Sequence, residues 1–229
     1  DQFFLWHTYF ADVFEKGGFD IVIGNPPYID SETMCKTIPQ MRELYARRYS
    51  TAKGNWDMFV VFVELVIRLT RNRGVYSFIV PNKLIAAKYA GKLREIIKQG
   101  SILEIRDYGS VDVFTNACVY PCTIIASTTN EHEEVSFLKM KDKNDYEIRN
   151  SFSSKIFNDI EYWDIGFVRS SMFGVLKKYL SCSKIETLEK VEVLGAATVS
   201  EAYKIREVVL DTKDRLNSFK MINTGTIDP

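Results

Sequence analysis

Residues Phe19–Tyr28 read FDIVIGNPPY. An alternating apolar run closes on a glycine, and an amide, two prolines and an aromatic ring come directly after it. The run has the length and β-branched content of a buried strand. The prolines end it, because each lacks a backbone donor and fixes φ, and the residue ahead of a proline is driven out of helical space. At average residue usage an Asn-Pro-Pro-Tyr tetrad arises by chance in a chain this long on the order of once in a thousand sequences. A rigid turn would explain the prolines, but it requires neither the Asn before them nor the aromatic after them.

The chemistry that suits such a tetrad is attack by a weakly nucleophilic planar amino group on an electrophilic methyl. The lone pair of an exocyclic base amine is delocalised into its ring, so the nitrogen becomes nucleophilic only as it pyramidalises and its two N–H groups find acceptors. Asn25 offers its side-chain carbonyl and Pro26 its backbone carbonyl, with Pro27 stiffening the arm. Tyr28 adds a π-face on which a base pulled from its stack can rest.

Downstream the pattern alternates. Gly54–Leu69 is apolar nearly all round and too long for a strand, which predicts a helix packed on a sheet, ended by the Arg71–Gly74 stretch. Val75–Val80 is a continuous apolar strand with PNKL at its end, and Asn82 is placed to cap a helix over Leu84–Gln99 that Gly100 ends. Ile102–Tyr108 is the third strand, and Val119–Ser127 the fourth. Strand and helix in alternation predict an α/β fold with a mostly parallel, doubly wound sheet, and right-handed crossovers bring the NPPY, PNKL and DYG loops to one edge. Ligands of such sheets sit at the carboxyl ends of the strands. Between Ile29 and Asn55 lies a polar insert in which Thr37 and Gln40 have capping-box spacing and a helix is predicted from Pro39 to about Tyr49. From Thr33 to Asn55 it carries Lys36, Arg42, Arg47, Arg48 and Lys53 against Glu43 alone, which makes either a phosphate-holding patch or a solvated helix face.

FDIVIGNPPY resembles the catalytic signature of amino-methyltransferases, and the chain downstream of it is similar to the N6-adenine DNA methyltransferases of fused restriction-modification enzymes and phage-defence systems. The likeness runs from about Phe10 to the end of the chain and is densest between Asp12 and Ser127. It implies a Rossmann-like class I domain with S-adenosylmethionine as methyl donor, double-stranded DNA as partner and a flipped-out adenine as substrate. Asn25, Pro26, Pro27 and Tyr28 are then the catalytic set. By the same resemblance Asp12 in FADVF, Asn25, and Asp57 in WDMF contact the cofactor, although Asp12 also suits a turn or cap and Asp57 an N-cap. The last strand should be antiparallel, and Phe114 in the loop before it should wall the base opposite Tyr28, unless it is an ordinary core residue.

Composition narrows the partners. The 229 residues are 46% hydrophobic with a formal net charge of zero and a pI near 6.9, so nucleic-acid contact must come from local patches. Cys35, Cys118, Cys122 and Cys182 form no CxxC pair and stand beside only two histidines, which argues for reduced thiols in a cytoplasmic protein without structural zinc. The most apolar segment, Met58–Leu69, is short and carries Glu64, so it reads as a core helix and no membrane partner is expected.

After Asn130 the chain changes character: Val135–Met140 suits one more short strand, Lys141–Asn150 resembles a linker, and Ser170–Leu180 looks helical. The expected organisation is a partial catalytic domain over 1–150, a connecting helical segment over 151–185 and the beginning of a DNA target-recognition domain over 186–229. No GxG occurs, and the chain opens mid-pattern, so a fragment lacking the first strands of its sheet is expected. Phe19–Gly24 would then be an exposed edge prone to self-association, and the cofactor site incomplete. A protein glutamine methyltransferase, an RNA adenine methyltransferase and a catalytically inactive DNA-binding scaffold are the alternatives.

Overall fold

The structure, a computed structural model, describes residues 4–109, 111, 113, 114 and 120–183. The chain divides into two compact units, Asp1–Ser181 and Cys182–Pro229, and nearly all described residues lie in the first. Two short helices, α1 (Trp6–Tyr9) and α2 (Ala11–Glu15), lead into β1 (Phe19–Gly24). Gly18 makes that entry possible, since at φ +124° it passes so near the Leu69 carbonyl that a Cβ would stand 2.4 Å from the oxygen.

The insert after NPPY folds as two helices, α3 (Ser31–Thr37) and α4 (Pro39–Arg48). α3 goes beyond the single helix expected there, although its signal is present: Asp30 caps it by accepting from the Thr33 amide at 2.7 Å. Thr37 and Gln40 do not form the expected capping box, because the Thr37 hydroxyl donates back to the Thr33 carbonyl; Pro39 does occupy the first turn of α4.

α5 (Phe59–Leu69) is the apolar helix, shorter at its start than expected, and it buries Phe59, Val60, Val61 and Val63. Each such side chain contributes about 1.5–3 kcal/mol of transfer free energy. Glu64 is buried in the same helix, with its carboxylate accepting from the Ser50 and Thr51 amides and from Arg68. Burial pushes its carboxyl pKa up, but those hydrogen bonds and the arginine outweigh it and leave the group below its usual value.

β2 (Thr70–Pro81) comes next, longer than the apolar core of Val75–Val80. The helix expected over Leu84–Gln99 is interrupted: α6 (Lys83–Ala86) and α7 (Gly91–Ile97) flank a turn at Lys88–Ala90, and Asn82 makes no side-chain cap. The Arg94 guanidinium explains the break. It is 2% exposed, and one nitrogen donates to the carbonyls of Leu84 and Ala87, satisfying groups that a continuous helix would have paired internally.

The remaining strands are β3 (Ser101–Asp107), β4 (Pro121–Ser127), β5 (Glu134–Met140) and β6 (Tyr146–Ser153), in a six-stranded sheet of order β1-β2-β4-β3-β5-β6. β1 and β2 are parallel, β4 is antiparallel to both β2 and β3, and β5 is parallel to β3. The sheet is therefore mixed: β1, β2 and β3 run one way as expected and β5 runs with them, the antiparallel β4 is inserted between β2 and β3, and β6 adds a second reversed strand that the sequence reading lacks. The linker reading of Lys141–Asn150 is corrected: β6 begins inside it and pairs with β5 from Tyr146 onward. Beyond it the chain returns through α8 (Ile156–Asp159) and a turn at Trp163–Phe167, packing Phe157 and Phe167 on Phe137 of β5. Arg94 fastens this return by donating to the Glu161 carbonyl at 3.0 Å. A turn at Ser170–Met172 and α9 (Phe173–Ser181) end the described helices.

Candidate active site at the carboxyl edge of the sheet

Because β1, β2 and β3 all run the same way, their carboxyl ends lie on one edge, with Gly24 opposite Phe78 and with Val80 and Asp107 both opposite Cys122. The NPPY, PNKL and DYG loops leave from that edge, as the alternation of elements predicts. Gly24 is required there by close approach: a Cβ would stand 2.5 Å from the ring of Phe78, itself 2% exposed and unable to retreat. The strand thus ends against a fixed aromatic wall, and the next residue is Asn25.

Pro26 is buried and anchors the loop, while Asn25 and Pro27 are exposed. The Asn25 amide has no hydrogen-bond partner among the described residues, so its carbonyl is available as an acceptor. Tyr28 is half-buried and its hydroxyl has no partner; burial, then the neighbouring Cys122 thiol, pushes its pKa up to about 12. Phe114 does meet Tyr28, with ring centroids 6.0 Å apart and planes at 79°. The rings touch edge to face. A planar base needs roughly 3.5 Å on each side, so a slot between these two requires the rings both to turn parallel and to part by roughly 1 Å.

Asp57 stands at the centre of the edge and is 6% exposed. Its Oδ1 accepts from the Ser31 amide at 3.3 Å, and its Oδ2 from Lys83 Nζ and the Tyr89 hydroxyl, each at 2.8 Å. Beside it the Met58 amide donates to the Ile29 carbonyl at 2.8 Å. The loop after NPPY, the start of α5 and the segment after β2 are therefore tied through one carboxylate, which is no N-cap. Burial raises the Tyr89 pKa strongly, and the hydrogen bond to Asp57 adds to it. Lys83 and Tyr89 carry no spacing that marks them as partners of Asp57; only the fold brings them together.

Asp12 is not brought to this edge. It is exposed in α2, and its helix neighbour Phe14 packs on Phe19 at the amino end of β1, a strand length of about 17 Å from Asn25. The basic insert is partly neutralised, two of its five cations being paired with acids. Lys36 bonds Glu32 at 2.6 Å, just outside the stretch read as a patch, and Arg47 bonds Glu43. Arg42 lies over the Trp56 ring at 5.0 Å and donates to Ser31 and Gly54, leaving Arg48 and Lys53 exposed.

The Asn-Pro-Pro-Tyr loop thus leaves the carboxyl edge of a mixed six-stranded sheet, in which β4 runs antiparallel between the parallel strands β2 and β3. Residues 1–114 match the family model described as Eco57I restriction-modification methylase. Among curated proteins, the type II restriction enzyme and methyltransferase RM.Eco57I of Escherichia coli is 31% identical over 125 residues, covering 54% of this chain and 12% of its own. The type II methyltransferases M.BstVI of Geobacillus stearothermophilus and M.TthHB8I of Thermus thermophilus are 28% and 33% identical, over 58% and 48% of this chain and 23% and 25% of theirs. The chain thus spans between about an eighth and a quarter of the length of these relatives. The solved type IIG restriction endonuclease BpuSI is similar over 71% of this chain and 22% of its own, with 15% identity and a TM-score of 0.49, a likeness too loose to add to the fold described above. No helix among the described residues is long and apolar enough to cross a membrane.

Proposed function

We propose that this chain carries the methyl-transfer edge of an S-adenosylmethionine-dependent DNA methyltransferase of a restriction-modification system, acting on the N6 amine of a flipped-out adenine. The observation that carries the reading is the free, exposed Asn25 amide on a proline-stiffened loop at the shared carboxyl edge of the parallel strands β1 and β2. Of the three residues expected on the cofactor, Asn25 alone presents an unengaged polar group there: Asp57 is already committed to three donors, and Asp12 lies at the other end of β1. S-adenosylmethionine, when bound, supplies an electrophilic methyl group.

The chain's own residues act on the amine. Asn25 Oδ1 and the Pro26 carbonyl accept its two N–H groups, so the nitrogen lone pair is freed from the ring as the transition state forms. Pro26, buried, and Pro27 hold the acceptors in place before the base arrives, which removes reorganisation from the barrier. Tyr28 offers its face to the extruded base, with Phe114 on the other side once the two rings turn parallel and part. Residues 186–229 fit the beginning of a target-recognition domain by the same family resemblance, and lie outside the described residues. A cytoplasmic location accords with a protein that works on DNA.

The test is Asn25→Ala in the full-length protein that contains this chain. Methyl transfer to duplex DNA should fall about a hundred- to a thousandfold, the scale of losing a preorganised polar group that acts only in the transition state, while DNA binding persists. Digestion of the product should yield N6-methyladenine. Transfer to RNA or to a glutamine peptide in place of DNA would install one of the alternative substrates, and undiminished transfer by the variant would overturn the role of Asn25.

A further inference from the structure

We propose that a cleft on the far side of the sheet from β1, between β6 and the Arg169–Ser171 turn, is a seat for a phosphate of the nucleic-acid backbone. The cavity measures about 450 Å³ and is lined by Glu147, Ile148, Arg149, Asn150, Arg169 and Ser171. Arg149 and Arg169 both line it, one from a strand and one from a turn, and neither has a carboxylate within ion-pair distance among the described residues. Arg149 lies over the Tyr146 ring at 5.9 Å, a contact that uses the guanidinium face and leaves its N–H edge for an acceptor.

The seat is built, not incidental. Asn150, 6% exposed, donates from Nδ2 to the carbonyls of Gly166 at 2.9 Å and Val168 at 2.7 Å, so a buried amide fixes the return segment to β6 one residue before Arg169. The Met172 amide then closes on the Arg169 carbonyl at 2.8 Å and shapes the turn that presents Ser171. Glu147 is the one acid in the lining, and Lys139 holds it at 3.0 Å.

Position favours a backbone phosphate. Tyr146 pairs with Met140 and Ile148 with Lys139, so the cleft lies toward the sheet edge that carries Asn25. β1 and β6 are five strand spacings apart, roughly 24 Å, a span that a duplex bound at a recognition site covers easily. A chain of zero net charge needs such local cations to hold a polyanion.

This inference rests on the DNA reading above, and the experiment separates the two. The chain, labelled so that its arginine Nε–H signals resolve, is titrated with a short duplex and, separately, with inorganic phosphate; affinity for the duplex is then measured against salt for the parent chain, Arg149→Gln/Arg169→Gln and Glu147→Gln. The expected result is movement of both arginine signals with duplex. The double variant should bind duplex roughly tenfold or more weakly at 0.1 M salt, with the log–log salt slope shallower by about 1–2. Glu147→Gln, which removes the acid and frees Lys139, should bind tighter. Duplex binding that leaves these signals and the slope untouched overturns the cleft and spares the DNA reading. Signals that answer to inorganic phosphate but not to duplex make it a free-phosphate site and overturn the nucleic-acid assignment, and no response to either probe removes the seat altogether.

Discussion

Asn25 and Tyr28 stand out within four consecutive letters, and they differ in how much of their setting those letters contain. Asn25 needs only a stiff, exposed loop, which two prolines supply locally. Tyr28 depends on distant residues, namely Cys122 behind its hydroxyl and Phe114 against its ring. Its buried hydroxyl has no partner among the described residues. Tyr28→Phe removes that unsatisfied polar atom and should leave the chain equally stable or more stable by about 0.5–1.5 kcal/mol in thermal unfolding near neutral pH. The pH dependence has a definite sign. A phenol whose folded pKa lies near 12, above its ordinary 10, contributes stability below pH 10 that is lost as pH rises through 10 to 12. The variant should lose less stability across that window, and a variant markedly less stable at pH 8 would mean that the hydroxyl is bonded after all.

Among the elements, one carboxylate joins three. From the sequence Asp57 reads as a cofactor contact or a cap, because a lone acid at a helix start suits either. In the fold it braces the loop after NPPY against α5 and the segment beyond β2. Asp57→Asn keeps the shape but leaves Lys83 without its counter-charge and sets an amide N–H₂ where an acceptor stood. Since Lys83 is half exposed, the expected cost is about 1–3 kcal/mol in urea unfolding. Exchange of the Ser31 amide should quicken in the same variant, and an unchanged Ser31 amide would show that the brace does not hold the loop. Helix α5 is legible in the sequence because its apolar content exceeds what a strand or loop tolerates. The break between α6 and α7 is not legible, since it depends on Arg94 reaching carbonyls seven and ten residues away in sequence.

For the whole molecule, the sheet places β1 at an edge, with Ile21 66% and Ile23 80% exposed. An unpaired apolar edge is a template for another chain. Sedimentation of this chain should therefore show mass rising with concentration in the hundreds-of-micromolar range. Ile21→Lys/Ile23→Lys should stay monomeric with its unfolding midpoint little changed, because neither side chain is buried. A strictly monomeric parent chain at those concentrations would remove the edge-pairing idea.

The features legible in the amino-acid order are local and periodic: the NPPY arm after its strand, the alternation that sets β1, β2 and β3 running the same way, and hence the single edge on which three loops gather. Right-handed crossovers carry that step, so backbone chirality suffices. Which polar groups meet is settled by folding alone. Packing gives Asp57 to Lys83 and Tyr89, leaves Asp12 at the far end of β1, adds β6 where a polar stretch resembles a linker, and brings Arg149 and Arg169 to one cleft where the buried Asn150 amide ties the return segment to β6. Hydrogen bonds and ion pairs reach only a few ångströms, and what stands within that reach depends on how distant segments pack.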